Sequence, residues 1–145
     1  MLDTRTLAML VLSFGSMSNK KLQKICYYVY SWYLVKYNKR IAPTHFEAWV
    51  HGPVSREIYN EYKQYGWDLI PQYNGFLPID EEIIAFARTI WNQYGRYTAD
   101  ELEKMSHEEL PWIKARQGLR EYEPSNKILD DQDIKAYFSK QRNIL

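Results

Sequence analysis

The sequence predicts a mainly α fold. It reads as one compact domain over residues 1–145, with about six helices around a central aromatic-rich helix and room for a short β-hairpin. Three observations predict it. Apolar residues recur at three- and four-residue spacing through most of the chain. The segments so marked open on Asp, Ser or Thr, and several close on Gly, which are helix start and stop signals. A chain of 145 residues, 46% hydrophobic and 26% charged, has the size and composition of one globular domain.

The elements follow in order. Asp3 caps a first helix over about residues 4–13, packed by Leu7, Leu10 and Val11 and ended at Gly15. Ser18 caps a second over about 19–37. At 100° per residue, Leu22, Ile25, Cys26, Val29 and Tyr33 share one face, and Lys20, Lys24 and Ser31 fall opposite. Tyr27, Tyr28, Leu34 and Val35 spread apolar surface around its second half. Such a helix is central, so this one is the scaffold, with only its first turns basic and wet. After Pro43, Phe46, Ala48 and Val50 alternate with Glu47, Trp49 and His51 as a short strand ended by Gly52-Pro53. A third helix runs over about 56–65 and closes at Gly66. Trp67 to Tyr73 reads as a second short strand, the candidate hairpin partner of the first, before the Asn74-Gly75 turn. Asp80 opens a fourth helix over about 81–94, with Ile83, Ala87, Ile90 and Tyr94 on one face. Thr98 and Glu101 have capping-box spacing for a fifth over about 99–106. Pro111 opens a short helical turn through Arg116. Gly118 to Lys127 reads as a loop. Asp130 caps a last helix over about 131–140, with Ile134, Tyr137 and Phe138 inward.

The totals narrow the function classes. Lys and Arg number 19 against 18 Asp and Glu, so the basic excess of a dedicated nucleic-acid binder is missing. The single cysteine, Cys26, suits a reducing compartment and reads as a small buried hydrophobe. The uncharged run Thr6 to Asn19 is too short for a spanning helix, and the acidic Asp3 with no clear cleavage site argues against a leader at Leu7 to Phe14, so the expectation is a cytoplasmic protein with no membrane partner. Aromatics make up 16% of the chain, which serves cores and interfaces alike.

Chemistry is sparse. His107-Glu108-Glu109 lacks the second imidazole that a zinc-protease helix needs, because Pro111 stands in its place. His45 and His51 lie too far apart along a strand to share a metal, so no metal and no cofactor is expected. No P-loop, dinucleotide-binding glycine pattern or nucleophile elbow occurs. The acid pairs Glu81-Glu82, Glu108-Glu109 and Asp130-Asp131 sit at helix starts, where carboxylates complement the helix dipole. The chain therefore reads as no enzyme; a weaker alternative joins His51, His107 and Glu108 in one pocket. Another alternative is a helix-turn-helix-like DNA-binding regulator, with Lys20, Lys21 and Lys24 early in the second helix facing phosphates.

Two segments stand apart from generic helix: Glu47 to Val54, and Met105 to Trp112. Trp49, His51, Pro53, Tyr59, His107 and Trp112 are the candidate partner-binding residues, since Trp and Tyr beside polar turns anchor interfaces. An equal reading is that Trp49 or His51 fixes the strand-to-helix corner, while Trp112 reads first as a plug in a core gap and His107 as a partner of nearby backbone.

These segments carry a family resemblance. KLQKICYYVYSWYL (21–34), FEAWVHGPVSREIYNEYKQYG (46–66), EIIAFARTIWNQYGRYTADELEKMSHEELPWIKAR (82–116) and IKAYF (134–138) resemble the Panacea, or SocA-like antitoxin, domain and the phage-associated GepA proteins, in order and spacing over about residues 15–138. Thr98 stands where the family often has Ser, and residues 117–130 are least family-like. The resemblance implies an antitoxin of a toxin–antitoxin system, carried on phages and mobile elements, whose partner is a cognate toxin bound by direct protein contact. It carries over no catalytic residues.

Overall fold

A computed structural model describes residues 1–145. Helix α1 (Thr4–Leu12) leads through a two-residue strand, β1 (Met17–Ser18), into the long helix α2 (Asn19–Tyr37). The Ser18 side chain caps α2 by accepting from the Lys21 backbone N–H, and Asn38, left-handed at φ 55°, ends it. Every residue of α2 from Leu22 to Leu34 is buried. The scaffold role read from the all-round apolar pattern is what the structure shows. The wet basic start is not. Lys24 is 1% exposed, and Asn19 and Gln23 are buried with it, because a hairpin and a later helix cover the N-terminal half of α2.

That hairpin joins β2 (Glu47–Trp49) to β3 (Gly52–Val54), antiparallel, with Trp49 opposite Gly52 and Glu47 opposite Val54. Residues 67–73 are not its partner, contrary to the sequence expectation. Gly52 sits at φ +109°, which lets the chain reverse at Val50-His51, so the Gly-Pro pair begins the return strand rather than ending the first. The later segment supplies β4 (Leu69–Ile70), which pairs with β1. The other edge of β2 is taken by the chain before the last helix: Ala48 N–H donates to Lys127 O at 2.8 Å and Leu129 N–H to Phe46 O at 2.8 Å.

Around α2 pack α3 (Arg56–Tyr62), continued by a 3₁₀ turn to Tyr65, α4 (Glu81–Tyr94), α5 (Ala99–His107) and α7 (Asp131–Ser139); the short α6 (Leu110–Ala115) links α5 to α7. The helices thus number seven, mainly because the Pro111 turn is a full helix. Thr98 and Glu101 form the expected capping box on α5, and Asp130 caps α7 through the N–H groups of Gln132 and Asp133. Asp3 and Asp80 precede their helices in extended geometry, but their side chains make no cap bond.

The core is aromatic. Tyr28 stacks on Tyr94 at 4.0 Å between centroids and 4° between planes. The Trp32 indole N–H donates to Tyr94 Oη at 3.0 Å, and Tyr28 Oη donates to the Glu109 carboxyl at 3.1 Å. Phe138 of α7 sets its edge against Tyr27, Tyr28 and Trp32. Tyr28 and Tyr94 thus contribute apolar area while their hydroxyls are paired, whereas the Tyr27 hydroxyl is buried without a partner. Cys26 is fully buried among these groups, and burial pushes its thiol well above the ordinary range.

Candidate functional site

The two segments that stand apart in sequence meet in space. The Trp112 indole N–H of α6 donates to Trp49 O at 2.9 Å, tying α6 to the end of β2. His107, the last residue of α5, stacks on Trp112 at 4.0 Å and 14°. The Arg116 guanidinium covers Trp112 at 5.1 Å. The His107 imidazole is half-buried; burial lowers its proton affinity, and its Nε2 has no partner.

On the outer side of β2, the Trp49 ring is held on three sides. Its indole N–H donates to Glu47 Oε1 at 2.8 Å, Arg56 lies over it at 5.3 Å, and Tyr59 tilts against it at 4.9 Å. Arg56 also donates to both Glu47 oxygens, at 2.9 and 3.2 Å. Alternation in the strand makes this possible, since Glu47 and Trp49 share a face while Ala48 points into the core.

Beneath the hairpin runs Lys24. Its Nζ donates to Pro53 O at 3.2 Å. A Cβ on Gly52 would overlap Lys24 Cε and come within 2.9 Å of Ser106 Oγ, so Gly52 is needed for room as well as for its positive φ. Burial, with the Lys20 charge nearby, lowers the Lys24 ammonium to about 7. Lys20 reaches α5, pairing Glu103 at 2.6 Å and Asp100 at 2.7 Å, and His51 Nδ1 lies 3.1 Å from the same Glu103. Lys21 turns to the other side, donating to Gly95 O at 2.6 Å with its ammonium over Trp91.

These residues frame a cleft of about 330 Å³ between the start of α2, the hairpin and α3. Trp49, Tyr59 and His51 form one wall, Lys24 and Lys20 lie along the α2 side, and Lys63 and Trp67 stand at the far end. A wider, shallower depression of about 670 Å³ adjoins it, sharing Trp49 and His51. All six candidate partner-binding residues therefore lie in one neighbourhood: Trp49, His51 and Tyr59 on the cleft, Pro53, His107 and Trp112 bracing it from behind.

The structure does not bring together the other sets. Glu108 is exposed, and the acid beside His51 is Glu103 instead. The three lysines of the DNA-facing alternative are turned to groups within the chain, with Lys24 buried beneath the hairpin at the cleft. No group of three or more His, Cys, Asp or Glu side chains is placed to hold a metal, and no helix is long and apolar enough to cross a membrane. Sequence reading missed Glu103 and Trp67. Glu103 lies four residues before His107, hence on one helix face with it, which is a usable signal. Trp67 follows Gly66 at the start of the segment that reads as a strand, and nothing in that pattern marks it as surface.

A family model described as antitoxin SocA-like, Panacea domain, matches residues 22–113. The chain belongs to this family. The match takes in the hairpin, Lys24, Tyr59, Trp67, Glu103 and the His107–Trp112 stack, so the cleft is built almost wholly from the Panacea segment. α1 and α7 lie outside it, as does the IKAYF stretch. No curated protein and no solved structure matches the chain.

Proposed function

We propose that this Panacea protein is the antitoxin of a toxin–antitoxin pair, neutralising a cognate toxin in the cytoplasm by direct binding over the cleft and the segment that follows α3. Family membership supports the antitoxin role in general. One structural observation supports this surface: within ten residues, Trp67, Leu69 and Phe76 are 81%, 65% and 82% exposed. Large apolar side chains gathered on one exposed stretch mark protein contact surfaces, and Trp is the commonest anchor. The reading assigns the chain no catalytic step. Cys26 is sealed in the core, and the Glu103 carboxylate beside His51 is held by Lys20. Engagement of Lys20, Lys21 and Lys24 inside the molecule supports protein over DNA as the partner.

The experiment is co-expression. The open reading frame beside this gene is expressed alone, with this protein, and with its Trp67→Ala/Phe76→Ala double variant. Growth arrest relieved by the parent chain and restored by the variant is the expected result. A harmless neighbour, or one that is never relieved, overturns neutralisation; full relief by the variant overturns the surface.

A further inference from the structure

The cleft carries more than an apolar rim. Four of its lining residues are basic or can become so, Lys20, Lys24, Lys63 and His51, and none is acidic. Lys20 is already paired with Asp100 and Glu103, so the donors left for a ligand are Lys24 and Lys63. An ammonium has three protons to donate. Lys24 has one acceptor, Pro53 O, and forms no ion pair. Burial disfavours the charged form of Lys24, and an entering carboxylate restores it by supplying the missing counter-charge. The geometry also selects the kind of carrier. About 330 Å³ holds one or two side chains. The fully formed wall of Trp49 and Tyr59, with Trp67 81% exposed at the rim, offers apolar contact area that a free inorganic anion cannot use.

We propose that this cleft seats an acidic side chain of the toxin, its carboxylate directed at Lys24 and Lys63 and its flanking residues packed on Trp49, Tyr59 and Trp67. The proposal rests on the neutralisation reading above and names the chemistry of its contact. Gly52 is then a specificity element, because its missing Cβ lets Lys24 run beneath the hairpin to the cleft.

The test is titration calorimetry of the full chain with the protein encoded by the adjacent open reading frame. Lys24→Met keeps length and removes charge. Lys63→Glu reverses charge at an exposed position and spares the fold if Lys24→Met does not. Lys114→Met, whose ammonium pairs Asp133 outside the cleft, is the control. Each of the first two is expected to weaken binding at least about tenfold, while the control binds like the parent chain. Replacing one Asp or Glu of the toxin by its amide is expected to cost as much, and to add nothing on top of Lys24→Met. Toxin bound equally tightly by folded Lys24→Met and Lys63→Glu overturns the acidic seat and leaves neutralisation standing. No binding by the parent chain overturns both. Release of the toxin by millimolar inorganic phosphate, with phosphate alone raising the melting temperature of the parent but not of Lys24→Met, makes the cleft a free-anion site and overturns the proposal.

Discussion

Burial lifts the Glu109 carboxyl from 4.5 to about 8 and lowers the Lys24 ammonium from 10.5 to about 7, in each case by favouring the neutral form. The signs are opposite. Folded Glu109 keeps a proton that the unfolded chain gives up, so its contribution is full below 4.5 and is lost as pH rises through about 8. Folded Lys24 gives up a proton that the unfolded chain keeps, so its contribution is full above 10.5 and is lost as pH falls through about 7. Glu109→Gln keeps an acceptor for Tyr28 and removes the ionisation. Thermal unfolding from pH 5 to 8 is expected to show a flatter profile for this variant than for the parent chain, with the gap growing to about 2–4 kcal/mol at pH 8. Parallel profiles would show that Glu109 does not titrate this way. Neither burial was legible in the sequence. Glu109 lies beside the exposed Glu108 in a stretch that reads as a helix start, and Lys24 falls on the face opposite Leu22.

Among the elements, the hairpin depends on a residue far along the chain. Arg116, at the end of α6, is buried and donates to Ala48 O at 2.7 Å, Glu123 O at 2.5 Å and Arg120 O at 3.3 Å. One planar guanidinium thus fastens β2 to the 117–127 loop, whose far end pairs with the open edge of β2. Arg116→Met is expected to cost about 2–4 kcal/mol in urea unfolding, by leaving buried carbonyls unpaired. Amide exchange should quicken at Ala48 and Leu129. Arg116→Lys should restore only part, since a single ammonium cannot span three carbonyls as the fork does. Unchanged exchange at both amides would remove Arg116 from this role. The helices themselves were legible: their starts and stops at Ser18, Gly66, Thr98 and Asp130 are local chemistry. The strand partners were not. Pairing is a long-range choice, and a two-residue turn at Val50-His51 outcompeted the more distant segment 67–73 because it closes a shorter loop.

For the whole molecule, the family segment and the folding unit differ. The matched residues 22–113 contain the cleft apart from Asn19 and Lys20 but omit α7, whose Phe138 seals the aromatic core against Tyr28 and Trp32 at centroid distances of 6.0 and 5.6 Å. They also omit α1, whose Leu7, Leu10 and Val11 are fully buried. A fragment of residues 22–113 is therefore expected to lack a cooperative thermal transition and dispersed amide resonances, while the full chain shows both. Exposed core aromatics should make the fragment aggregate. A fragment that melts cooperatively would show that the two outer helices are additions to an independent core.

Sequence alone determined the mainly α class, the central place of α2, the helix limits and the lack of familiar catalytic patterns, because periodicity and capping are written within a few residues. Through its motifs it also led to the Panacea family. Tertiary structure alone decided that Lys24 is buried beneath Gly52, that β2 pairs with Gly52–Val54, and that the Trp49 and Trp112 segments meet beside a lysine-lined cleft with Trp67 at its rim. Those outcomes depend on which surfaces cover which, and a helical face that looks polar in projection stays wet only if nothing packs on it. Here a hairpin and α5 pack on the lysine face of α2, which buries Lys24 and draws Lys20 onto Glu103, while Lys21 turns away to Gly95.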